Sequence, residues 1–153
     1  MLIKNSHLLT GISDADKLLM EHAALEHAKY SNIKFKIVSC DTKAVVIQVV
    51  QGKSAQLNYQ DKHRLIEIVR ETFGRFFGSR KITVNAVPYQ EAKCNVVNAT
   101  WLATIMKETG TKLKHIAEDT GLNYANLSTY MQGEKEMPQT LKAMLYYYFE
   151  SKK

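Results

Sequence analysis

The stretch from Leu113 to Tyr130 constrains this chain most. It reads Leu-Lys-His-Ile-Ala-Glu-Asp-Thr-Gly-Leu-Asn-Tyr-Ala-Asn-Leu-Ser-Thr-Tyr. Ala117 falls midway along a first short helix, where a second helix must cross closely, and a bulky side chain there would push the pair apart. Gly121 falls where the chain must turn out of that helix, through a left-handed backbone that costs glycine little. Leu113, Ile116 and Leu122 flank these positions. Leu127 and Tyr130 lie on one face of the second helix. Together the five make a small shared core. Tyr124, Ala125, Asn126, Ser128 and Thr129 are left to face outward, and most are short or polar, suited to hydrogen bonding in a groove.

A plain helical hairpin with a glycine turn uses any one of these residues. The whole set, at this spacing, is the pattern of a helix-turn-helix, which places its second helix in the major groove of DNA. The flanks extend it. Asn98 to Thr109 reads as a preceding helix, with Trp101, Leu102, Ile105 and Met106 at helical spacing and Gly110 as its stop. A polar loop, Met131 to Pro138, leads into a closing helix from Gln139 to Phe149 that should bury Leu141, Met144, Leu145 and Tyr148. Proline at a helix start is a common signal.

Over about residues 96–150 this arrangement resembles the lambda-repressor-like family of helix-turn-helix DNA-binding domains, the group of phage repressors, Cro-type regulators and many antitoxins. The resemblance is carried by Ile116-Ala117 before the turn, Gly121-Leu122 at it, Leu127 and Tyr130 after it, and the loop from Gly133 to Pro138. It implies that Tyr124, Ala125 and Thr129 meet base edges, with Asn126 and Ser128 beside them. It also implies that Gln132 and Lys135 touch phosphates from the loop. The reading positions carry no Gln or Arg, which family members often have there. Members commonly use a fifth helix in dimerisation and the chain stops at Lys153 short of one, so dimerisation is expected of the N-terminal half.

That half reads as a small α+β domain with a mainly antiparallel sheet. Ser13-Asp14-Ala15-Asp16 opens a helix running to about Tyr30, with Leu18, Leu19, Ala23 and Leu25 as a rough apolar face. Ile33, Phe35 and Ile37 alternate with Lys34 and Lys36 as a half-buried strand. Asp41-Thr42-Lys43 is a turn, and Ala44 to Val50 is a β-branched second strand completing a hairpin. Asp61 to Phe77 is an amphipathic helix stopped by Gly78, and Ile82 to Val87 is a third strand. The expected order is therefore helix, β-hairpin, helix, strand over residues 1–92, then an all-α helix-turn-helix domain over 96–153. Glu91 to Val97 reads as a linker.

Charge and small motifs bound the function. The net charge is +6, which favours polyanionic partners. Residues 1–95 hold 14 Lys and Arg against 9 Asp and Glu, while residues 96–153 hold 7 against 6. Phosphate contacts normally supply much of the affinity for DNA, so the basic half is expected to help. Arg75, Arg80 and Lys81, around Gly78-Ser79, are the candidate second basic surface, read beside an ordinary solvated turn. Glu21, His22, Glu26 and His27 read as a solvated helix face and His63 as exposed, while His115 is weighed between an exposed side chain and a phosphate contact. The aromatic run Tyr146 to Phe149 belongs to a core or an interface. Cys40 and Cys94 match no metal spacing and read as free thiols of a reducing compartment. There is no apolar run long enough to span a membrane, no signal-peptide core and no catalytic motif.

The expectation is a cytoplasmic, bacterial or phage-derived transcriptional regulator, a repressor that binds double-stranded DNA as a homodimer, without cofactor, metal or enzymatic activity. The helix from Asn123 to Tyr130 would occupy the major groove. Tyr124, Ala125, Asn126 and Thr129 would contact bases, and Lys112, Lys114, Ser128, Gln132 and Lys135 would hold phosphates. Two other readings stay open. The helix-turn-helix is a protein-interaction module, as in an antitoxin or adaptor with a toxin or polymerase as partner. Or the basic N-terminal domain binds RNA or carries an unrecognised activity.

Overall fold

Local sequence signals set the element boundaries. The computed structural model describes residues 1–153, which divide into two units, Met1–Gln90 and Glu91–Lys153. In the first, the Ser13 hydroxyl accepts the Asp16 amide and opens α1, Asp14–Ser31. The chain then forms β1, Ile33–Cys40, and β2, Ala44–Gln51. Between them Asp41 folds the turn, its Oδ1 accepting the Lys43 and Ala44 amides at 2.7 and 2.8 Å. Asp61 caps α2, Lys62–Phe73, by accepting the Arg64 amide. A single 3-10 turn over Gly74–Phe76 follows, so the helix expected to reach Phe77 tightens there instead. The last strand is β3, Lys81–Val87.

The sheet order is β1-β2-β3. β1 pairs antiparallel with β2, with a register shift between Ile37 and Ser39. β3 pairs parallel with β2, from Ala44 opposite Lys81 to Val50 opposite Val87. The sheet is thus mixed, not mainly antiparallel as the sequence suggested. Crossing over through α2 returns the chain to the end where β2 began, which forces the third strand to run the same way. One sheet face buries Ile33, Phe35, Ile37, Val45, Ile47 and Val49 with Leu65, Val69 and Phe73 of α2. The Phe35 and Phe73 rings meet edge to face at 4.8 Å, a favoured geometry for aromatic pairs.

The helix α1 contributes Met20 and Ala24 to this core. Leu18, Leu19 and Leu25, expected on its apolar face, are exposed at 61, 50 and 44 %. Apolar residues lie all round this helix, so periodicity did not reveal which side meets the sheet. Glu21 and His27, read as solvated, are engaged. The Glu21 carboxylate accepts the Leu2 and Ile3 amides. His27 Nε2 lies 3.0 Å from Thr72 Oγ1, and its ring stands edge-on to Phe35. The buried Gln51 side chain fastens the β2–α2 loop: its amide donates to Ser31 O and Asn58 O, and its carbonyl accepts the Gln60 amide.

The second unit is helical: α3, Ala99–Thr109; α4, Leu113–Thr120; α5, Tyr124–Met131; and α6, Gln139–Glu150. The segment expected as a linker is part of it. Lys93–Val96 form a 3-10 turn, Val97 is buried in the core, and the Gln139 amide donates to Asn95 Oδ1 at 2.8 Å. Apolar Cys94 and Val97 gain burial there that a free linker would forgo. Leu102, Leu113, Ile116, Leu127, Met137, Leu141, Leu145 and Phe149 fill the interior. Met144 and Tyr148, expected to be buried, are only partly so. No helix is long and apolar enough to cross a membrane.

Candidate nucleic-acid interface

Three residues, Gly121-Leu122-Asn123, join α4 to α5. Gly121 takes φ +72°, and its amide donates to Ala117 O. The Asn123 side chain caps α5 by accepting the Asn126 amide at 3.2 Å. Leu113 and Ile116 from α4 and Leu127 from α5 form the shared core that the sequence predicted. Leu122 is not part of it, being 39 % exposed. It lies between the two helix caps, Gly121 and Asn123, outside either helix.

Leu127 fixes how α5 is turned, and at 3.6 residues per turn the rest follows. Ala125 and Thr129 point most directly away from the Leu127 side, with Gln132 beside them. Tyr124 and Asn126 lie on opposite flanks. Tyr124, Ala125, Asn126 and Gln132 are exposed, while Ser128 and Thr129 are half-buried rather than fully outward. The Thr129 hydroxyl donates to Ala125 O at 2.9 Å, one turn back. Its proton is therefore committed, and it meets a neighbour as an acceptor and a methyl group.

Six of the nine expected contact residues fall in three separate depressions, and Ala125, Thr129 and Lys114 line none of these. Tyr124, Ser128, Gln132 and Lys112 line one groove of about 600 Å³, together with Lys107 and Thr111. The sequence reading missed those last two; the signal for them was the short α3–α4 connection. Asn126 faces a second depression, of about 380 Å³, with Tyr130 and Met144. Lys135 lies in a third, beside Asn98 and Lys142. Lys114, in α4's first turn, is exposed and lies 3.8 Å from Glu118. His115 caps its own helix, its Nδ1 accepting the Lys112 amide at 3.2 Å, which removes that nitrogen from phosphate contact.

A clasp between α4 and α6 holds the pair in place. Tyr148 Oη donates to Asp119 Oδ2 at 2.7 Å, and Lys152 Nζ reaches the same oxygen at 3.3 Å while lying 4.7 Å from the Tyr148 ring centre. The Tyr148 hydrogen bond, reinforced by Lys152, holds the Asp119 carboxyl below its ordinary pKa. Partial burial and the same bond raise the Tyr148 phenol. Trp101 packs beneath, edge-on to Phe149 at 5.8 Å. Of the aromatic run, Phe149 is buried and Tyr147 is 60 % exposed.

The expected second basic surface does not form as a unit. Arg80 is half-buried, and its Nη1 donates to Thr10 O at 2.9 Å and lies 3.2 Å from Cys40 Sγ. Packing thus uses the charge that the sequence assigned to a loop. Arg75 lies over the Phe76 ring at 4.6 Å. Lys81 is exposed at the start of β3. Cys40 and Cys94 are both free thiols. No family model, no curated protein and no solved structure matches the chain.

Proposed function

We propose that Glu91–Lys153 is a helix-turn-helix DNA reader that lays α5 in the major groove of a duplex. The observation that carries this reading is the α5 ridge. Ala125, Gln132 and Thr129 project from a short helix anchored by Leu127, with Tyr124 and Asn126 on either side. Ala125 keeps the ridge low enough for the backbone to approach base edges, and Asn126 supplies the paired donor and acceptor that adenine accepts. Lys107 and Lys112, across the groove from Ser128 and Gln132, supply phosphate contacts. Lys114 and Lys135 are placed to reach phosphates only at the margins.

In a homodimer two copies would set their α5 helices about 34 Å apart, one turn of DNA. Occupying a promoter in that way would repress it. The exposed Leu18 and Leu25, which share a face of α1, support such self-association. Fluorescence anisotropy of the full chain on genomic duplex fragments tests the reading. Binding should appear at low ionic strength and weaken steeply with salt. Asn126→Ala should lower affinity for the preferred site about tenfold or more. Absence of salt-sensitive duplex binding sinks the proposal.

The near-neutral charge of this unit favours a second reading, a protein-interaction module of the antitoxin or adaptor kind. It predicts an intact helical fold with no duplex affinity, and Asn126→Ala would then leave DNA binding unchanged at zero.

A further inference from the structure

The first unit confines its acids to one side. Every Asp and Glu of Met1–Gln90 lies on α1, on α2, in its cap Asp61 or in the β1–β2 turn at Asp41. The sheet face opposite the helices carries none. Sheet register places the lysines there. Lys4 bridges Lys36, which pairs with Gln48, which pairs with Asn85. Lys34 pairs with Val50, and Val50 with Val87, while Ala44 pairs with Lys81. Paired residues share a face, so Lys4, Lys34 and Lys36 stand together on one surface, Lys81 lies at the opposite corner of the same face, and all four are exposed.

This face is unusual in two respects. Its lysines make no ion pair; every salt bridge of the chain lies elsewhere. Lys4 and Lys36 are also set directly beside each other, and like charges so placed destabilise a sheet. The sheet face is uncovered as well: Val50 and Val87 at its centre and edge are 36 and 44 % exposed. A second copy of the same face would add repulsion to repulsion. A polyanion would relieve it.

We propose that this outer sheet face binds single-stranded nucleic acid. Lys34 and Lys36 stand roughly 6.8 Å apart along β1, an extended row of cations suited to tracking one backbone. Between the lysines, Gln48, Asn85 and Thr83 offer donors and acceptors to unpaired base edges, and Val46, Val50 and Val87 offer apolar footing to base faces. The face carries no aromatic ring, so affinity rests on backbone charge and is tolerant of sequence. This surface is separate from the α5 ridge, and either proposal stands if the other fails.

The test uses the full chain and a labelled homopolymeric DNA strand of about 12 nucleotides. Four lysine contacts predict a slope of log affinity on log salt of about −2.8, at about 0.7 per phosphate. Lys34→Ala/Lys36→Ala should bring that slope down by about 1.4. Lys34→Glu/Lys36→Glu should weaken binding at least about tenfold at low salt, while melting as the wild type does, because both side chains are in solvent. Lys81→Glu should weaken it less, and Asn126→Ala on α5 not at all. The proposal is overturned if the single strand does not bind, or if it binds independently of Lys34 and Lys36. In the latter case the lysines only guard the sheet edge against pairing. It is overturned too if Asn126→Ala abolishes single-strand binding, or if Lys34→Glu/Lys36→Glu instead changes the oligomeric state, which would mark the face as a contact between copies.

Discussion

The two units divide shape and charge between them. Met1–Gln90 holds 13 Lys and Arg against 8 Asp and Glu, while Glu91–Lys153 holds 8 against 7. The second unit nonetheless has the proposed groove reader, a short helix behind a tight turn. The first has the charge, and sets four of its lysines on an open sheet face. The difference follows from how each buries its core. Helices packed around one interior leave every helix a solvated face on which charges of both signs mix. A sheet covered on one side leaves a continuous second face, where strand alternation gathers every other residue. Net charge alone points to the first unit, whereas the groove reader proposed above lies in the second.

The largest expected effects come from cutting each core. Phe35→Ala removes a fully buried ring packed on Phe73 and should cost the first unit about 3–5 kcal/mol. Loss of hydrogen-exchange protection at the β1 and β2 amides measures it. Leu145→Ala, at a site with no solvent exposure, should cost the second unit about 2–5 kcal/mol. Trp101, the only tryptophan, reports that loss by fluorescence. If the strand amides keep their protection in Phe35→Ala, the sheet is not what holds the first unit together.

Backbone strain gives a smaller contrast. Gly121 and Gly11 have nearly the same φ, +72° and +70°, yet different surroundings. A Cβ on Gly121 meets nothing, so Gly121→Ala should cost about 1–2 kcal/mol of strain alone. A Cβ on Gly11 would lie 2.7 Å from Arg80 Nη2. Gly11→Ala should therefore cost the same strain plus about 0.5–1.5 kcal/mol as the guanidinium leaves Thr10 O. Urea unfolding of the two variants decides it. Equal losses would mean that the Arg80 contact contributes nothing, and would return Arg80 to the pool of free surface cations.

Much of this contrast was legible in the sequence where one residue type has one local job. Ser13, Asp61 and Asn98 each cap a helix where the pattern placed a start. Ile33, Phe35 and Ile37 alternate inward, and Leu113, Ile116 and Leu127 meet across the turn as their spacing required. What stayed hidden depends on pairing between distant segments. The parallel run of β3 has no local signature. Arg80 looks like any loop arginine until Thr10 is beside it. Lys34 and Lys36 were visible as the polar half of an alternating strand, but their gathering with Lys4 and Lys81 needs the register of the whole sheet. At the α5 site, the positions of Tyr124, Ala125 and Asn126 were legible from helical periodicity. The separation of Lys112 from Lys135 was not, because loop residues follow no period.

The smallest expected effects concern acid, and they separate the units by pH range. Burial, with the Arg64 cation second, holds the His27 imidazole below its ordinary pKa of 6.5. Glu26 and Glu71 pull the other way, and Thr72 and Phe35 are its direct neighbours. A lowered folded pKa means that the fold prefers the neutral ring. Its contribution is complete above 6.5, the unfolded value, and is lost as pH falls through the folded one. For Asp119 the depressed group is a carboxyl held by Tyr148 and Lys152, so its contribution is complete above about pH 4 and is lost only in stronger acid. As pH falls below 6.5 the first unit should therefore soften, while the second holds until stronger acid. Thermal melts across that range, read at the strand amides and at Trp101, give the two slopes. His27→Gln should flatten the first and leave the second alone, and Asp119→Asn should remove only the loss at the acid extreme. If His27→Gln keeps the original slope, the acid response of the first unit belongs to another group, and the contact between His27 and Thr72 is incidental to it.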